Sequence, residues 1–104
     1  MNPAETTLKF SKLDKRHTGH RWFSHRVSFI GNLPGKAVNL CNARDWLWAT
    51  FGPSREVKSV GFLMKEPPQW AWETDYGYYR LYLTDQALTQ FLLLKEKFEK
   101  DYSF

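Results

Sequence analysis

Residues 20 to 30, HRWFSHRVSFI, alternate in a way only a β-strand uses fully. Phe23, His25, Val27 and Phe29 fall on one face, and Trp22, Ser24, Arg26, Ser28 and Ile30 on the other. Successive side chains of a strand point to opposite faces, so one register commits the first set to a core and the second away from it. GNLPG breaks the pattern at residues 31 to 35. A helix follows, with Leu40, Cys41, Arg44, Leu47, Trp48 and Phe51 on one stripe at i, i+3, i+4 spacing. Asn39 or Asn42 is the candidate cap, and Gly52-Pro53 is a strong stop.

The flanking segments extend this frame. TLKFSKL at 7 to 13 is a short first strand with Leu8 and Phe10 on one side, and DKRHTG connects it to the second. EVKSVGFLM at 56 to 64 predicts another strand, with Val60, Phe62 and Met64 sharing a face and Pro67-Pro68 ending it. QWAWE and YYRLYLT form two arms of a hairpin around Thr74 to Gly77. In the second arm Tyr79, Leu81 and Leu83 share one face, and Tyr78, Arg80 and Tyr82 the other. A last helix starts at Thr84 or Asp85, with Ala87, Leu88, Phe91, Leu94 and Phe98 as its apolar stripe and Leu93 opposite. The order β-β-α-β-β-β-α is an α+β class: an antiparallel sheet, both helices on one face, the other face open to solvent or a partner.

At 104 residues the chain is one domain, 1–104, able to bury about two-thirds of its unfolded surface without a metal or disulfide. A single cysteine, Cys41, excludes an internal disulfide and favours a reducing, cytoplasmic setting. MNPAETTLKF has no apolar signal core, and the longest aliphatic run, Phe91 to Leu94, is far too short to cross a membrane, so no membrane partner is expected.

Catalytic and metal chemistry find little support. His17, His20 and His25 are spaced H-x2-H-x4-H, but the odd interval between His20 and His25 sends them to opposite faces of one strand. GNLPGKA lies between strand and helix as a phosphate loop would. It has three residues between glycines where the NTPase pattern needs four, and Ala37 stands where Ser or Thr is required. Cys41 has only Lys36 and Arg44 as nearby activators and reads as a small core residue. Asp45, Glu73 and Asp75 form no acid–base pair pattern. No catalytic residue, metal site or cofactor is expected.

Binding fits the charge better. The formal net charge is +4. Residues 1 to 36 hold Lys9, Lys12, Lys15, Arg16, Arg21, Arg26 and Lys36 against Glu5 and Asp14 alone, and the rest of the chain is nearly neutral. A basic amino-terminal third suits an anionic partner, although a solvated face has the same composition. Aromatic residues make up 17% of the chain, more than one small core needs. Tyr78, Arg80 and Tyr82 alternate on one strand, and bases stack on tyrosine rings and arginine planes. Trp70 and Trp72 alternate in the neighbouring arm, where packing and recognition are both open.

VSFIGNLP, residues 27 to 34, resembles the short ribonucleoprotein motif that opens an RNA recognition motif, with Ser28 in place of the first aliphatic residue. Residues 45 to 64 resemble that family's first helix, its Phe-Gly end and its second strand, and residues 76 to 92 its third strand and second helix. The likeness covers about residues 27–98. Of the longer motif only Gly77, Tyr78 and Leu81 match, and no fourth strand follows the second helix. The resemblance implies a ferredoxin-like fold and a sheet face that binds RNA. It also implies that Phe29 faces the nucleic acid, whereas alternation groups Phe29 with the apolar Phe23 and Val27.

The expectation is a non-enzymatic module that binds single-stranded nucleic acid. Phe29, Tyr78 and Tyr82 would stack, and Arg80, Arg26, Arg21, Arg16 and Lys15 would meet phosphates or cover bases. The alternative is a structural or interaction domain that forms a homo-oligomer through Trp70, Trp72 and Leu93.

Overall fold

Asn32 marks the point where strand gives way to helix. Its side-chain Oδ1 accepts from Gly35 N–H at 2.8 Å, filling one of the orphan donors at a helix start. Pro34, in the first turn, has a fixed φ suited to that position and no N–H to leave unpaired. The computed structural model describes residues 6–17, 19–60, 66, 68–74 and 77–93.

The elements are β1 (Thr6–Lys12), β2 (His25–Gly31), α1 (Leu33–Phe51), a single 3-10 turn (Val57–Ser59), β3 (Trp70–Glu73), β4 (Arg80–Leu83) and α2 (Asp85–Leu92). The four strands form one antiparallel sheet in the order β1-β2-β4-β3. α1 ends at Gly52, whose φ of 93° excludes most L residues and whose N–H donates to Trp48 O at 2.9 Å. α2 is capped by Thr84, which accepts from Ala87 N–H at 3.2 Å.

Register assigns the two faces. Leu8 pairs with Phe29, Phe10 with Val27, Val27 with Leu81, and Trp72 with Leu81. These side chains point to the helical side. There Leu40, Ala43 and Leu47 of α1 and Ala87 and Phe91 of α2 join Val27, Phe29, Trp70, Leu81 and Leu83 in one core. Both helices therefore lie on one face. At about 1.5–3 kcal/mol per buried large apolar side chain, this cluster is the principal source of stability.

The reverse face is not fully open. Leu13 and Phe23 from the β1–β2 connection and Val57 and Val60 from the 3-10 region cover Ala71 and Tyr82 in a second core. Gly19 makes that approach possible. Its φ is +82°, and a Cβ there would lie 2.8 Å from Val57 Cγ2.

Several local expectations are corrected. The second strand begins at His25, not His20, because residues 20 to 24 turn back over the second core. α1 starts six residues before Asn39, capped by Asn32, so its buried stripe runs through Gly35, Asn39, Leu40, Ala43 and Leu47. Cys41 and Trp48 are exposed, and Cys41 is not a core residue. The strand expected over 56 to 64 is a 3-10 turn at Val57–Ser59, and residues 61–65 lie outside the described residues. Glu56 makes only an isolated parallel bridge to Trp72, covering part of the outer edge of β3. Leu94 and Phe98 also lie outside the described residues.

Candidate nucleic-acid interface

On the reverse face one cross-strand row reads Lys9, Ser28, Arg80, Glu73. Adjacent strands are about 4.8 Å apart, so Lys9 and Arg80 flank the short Ser28 side chain at roughly 10 Å. Two long cations beside a small residue leave a trough. It is a depression of about 300 Å³ whose cations are Lys9, Arg26, Lys36 and Arg80, with Tyr78 and Ile30 on its rim. Among the described residues no carboxylate lines it.

Glu73 organises the site from the side. Its Oε1 accepts from Arg80 Nη1 at 3.2 Å and from the Tyr82 hydroxyl at 2.8 Å. So held, Arg80 lies with Cζ 3.7 Å from the centroid of the Tyr78 ring, a close cation–π contact. Tyr78 keeps 47% of its surface exposed. Arg26 lies across from Tyr82, and its Nε is buried without a hydrogen-bond partner among the described residues. Burial, then the hydrogen bond to Glu73, pushes the Tyr82 hydroxyl up to about 12.

Four of the expected binding residues line the trough, Arg26, Phe29, Tyr78 and Arg80, and the rest do not. Phe29 is 3% exposed and Tyr82 1%, both packed in cores, so neither ring offers a stacking face. For Phe29 the alternation of the strand, and not the family pattern, gives the side it occupies. Lys15, Arg16 and Arg21 sit beyond the His25 end of β2, while the trough lies at its Phe29 end. Arg16 is also occupied: its Nη2 contacts Asp14 Oδ2 at 2.7 Å. Hydrogen bonds from Arg16 hold the exposed Asp14 carboxyl well below the usual carboxylate range. Arg21 stacks on Trp22 at 5.6 Å.

The expected aromatic interface is corrected as well. Trp70 is fully buried, its Nε1 donating to Gly52 O at 3.0 Å. Trp72 is half-buried beneath Arg44, whose Cζ is 4.8 Å from the ring centre. Leu93 alone of the three is exposed, at 77%. Lys9, Lys36 and Ile30 were not expected at a site. Lys9 and Ile30 had a visible signal, since both are out of phase with the core residues of their strands. Lys36 was marked only by its place in GNLPGKA between strand and helix, and it reaches the trough through the early start of α1.

The His25 cluster does not have the geometry of a hydrolytic triad. His25 Nδ1 lies 2.8 Å from Ser24 Oγ and 3.8 Å from Asp85 Oδ1. A hydrolytic triad needs those partners on opposite ring nitrogens, and both here face Nδ1. Among the described residues no three His, Cys, Asp or Glu side chains are grouped to hold a metal, and no helix is long and apolar enough to cross a membrane.

Comparison with protein-family models, curated proteins and solved structures finds no match for this chain.

Proposed function

We propose that this domain is a non-enzymatic module that binds single-stranded nucleic acid on the reverse face of its sheet, at the trough between Lys9 and Arg80. The observation that carries this reading is the Arg80–Tyr78 pair beside three further cations, Lys9, Arg26 and Lys36, with no lining carboxylate among the described residues. Cations neutralise phosphates, and the half-exposed Tyr78 ring offers a stacking surface for a base, as in other single-strand binders. Arg26, Tyr78, Arg80, Lys9 and Lys36 are the contact residues. The second core narrows the platform, so the footprint is a few nucleotides centred on the Phe29 end of β2.

We also read the arrangement as ferredoxin-like with a changed connectivity. In support, β1 borders β2 at the sheet edge where a strand following α2 would otherwise lie. The resemblance to the RNA recognition motif supports the reading in order of elements, though not through Phe29.

The test is binding of a labelled single-stranded oligonucleotide across a salt series. Affinity should fall as salt rises, with a logarithmic slope of about −0.7 per phosphate contacted. No binding at low salt overturns the reading.

A further inference from the structure

Resting on that reading, we propose that the trough is a socket for the terminal phosphomonoester of a nucleic-acid strand, and not a track for internal phosphodiesters. Two independent observations point this way. The first is how the charge is distributed. Lys9, Arg26, Lys36 and Arg80 line one depression of about 300 Å³, Arg80 also pairing with Glu73 and Lys36 lying over the Tyr79 ring. The remaining candidate cations, Lys15, Arg16 and Arg21, lie beyond the other end of β2, and Arg16 is paired with Asp14. A backbone track spreads its cations along a path, whereas a socket gathers them around one group. A terminal monoester brings about −1.5 to −2 charges and three acceptor oxygens, against a single charge on an internal diester.

The second observation is unmet polarity around the depression. Arg26 Nε is buried with no partner among the described residues, while the same guanidinium bonds the Tyr82 hydroxyl. α1 is a 19-residue helix with no acidic residue in its first turn. Lys36 follows directly, its N–H bonded to Asn32 O at 3.0 Å, and lines the trough. Carboxylates normally balance the positive end of a helix, and a lysine there adds to it. An anion in the trough supplies the missing charge. Tyr78, on the rim, places a ring where the terminal base would stack.

The experiment compares one short oligonucleotide in three forms, 5′-phosphorylated, 3′-phosphorylated and hydroxyl-ended, binding the full chain at fixed salt. One phosphorylated form should bind about tenfold tighter than the hydroxyl-ended form, the ratio that one charge-assisted hydrogen bond commonly gives. Inorganic phosphate should compete away that advantage. Lys36→Gln, on the helix surface, and Arg26→Gln should each shrink the ratio toward one, with circular dichroism checking that both fold. Equal binding of all three forms overturns the socket and leaves the single-strand reading standing. No binding of any form overturns both. Unchanged preference in a folded Lys36→Gln and a folded Arg26→Gln also overturns the socket.

Discussion

The guanidinium carbon of Arg80 lies 3.7 Å from the centre of the Tyr78 ring, and the same guanidinium donates to Glu73 at 3.2 Å. The ion pair is half-buried, so it fixes the arginine plane more firmly than an exposed pair would. Arg80→Ala should weaken single-strand binding about tenfold or more and flatten the salt dependence by about one phosphate contact. Arg80→Lys should keep most of the salt slope while losing affinity, because an ammonium has no plane to stack. Fluorescence anisotropy across a salt series separates the two effects.

Tyr78 tests stacking directly. Tyr78→Ala should cost about 1–3 kcal/mol of binding, the usual worth of one base–aromatic stack. Tyr78→Phe should change little, since the ring is retained. Equal losses in both variants would place the effect on the hydroxyl and remove the stacking role.

Gly19 and Gly77 both have positive φ, +82° and +78°, but their surroundings differ. A Cβ at Gly19 meets Val57 Cγ2 at 2.8 Å, whereas one at Gly77 meets nothing within 4 Å. Gly77→Ala should cost only backbone strain, about 1 kcal/mol. Gly19→Ala should add displacement of the second core, for about 2–4 kcal/mol in total. Urea midpoints with unchanged slopes would measure both.

Tyr82 gives an alkaline stability limit. Its hydroxyl is held neutral up to about pH 12 by burial and by its bond to Glu73. In the unfolded chain a tyrosine ionises near 10, at about the ordinary value. Between those values the unfolded state releases a proton that the folded state retains. This contribution to stability is complete below about pH 10 and is lost as pH rises toward about 12. Tyr82→Phe should remove the absorbance step near pH 12 and flatten the fall in stability over that window.

Asn32→Ala should lower stability by about 1 kcal/mol through loss of the α1 cap. Asn42→Ala, at a half-buried position inside the helix, should not reproduce a cap loss. Thermal melts of the two variants distinguish the observed helix start from a start at Asn42.

The sequence by itself determined which residues of each strand face the core. Val27, Phe29, Leu81 and Leu83 follow from period-two alternation, which needs no tertiary information. So does the stop at Gly52-Pro53, because turn chemistry is local, whereas cap chemistry narrowed the start of the last helix only to Thr84 or Asp85. The same alternation set Arg26 and Arg80 on the opposite side from the core. Only tertiary structure decided the rest. Alternation assigns faces but cannot say what covers them, so the burial of Tyr82 depended on a loop folding back, which Gly19 permits. Packing against the sheet chose the buried stripe of α1 and left Cys41 at the surface, and the Asn32 cap set the early start that puts Lys36 beside the trough. The trough itself is a property of strand order: Lys9, Ser28 and Arg80 are far apart in sequence and become neighbours only through pairing β1 to β2 and β2 to β4.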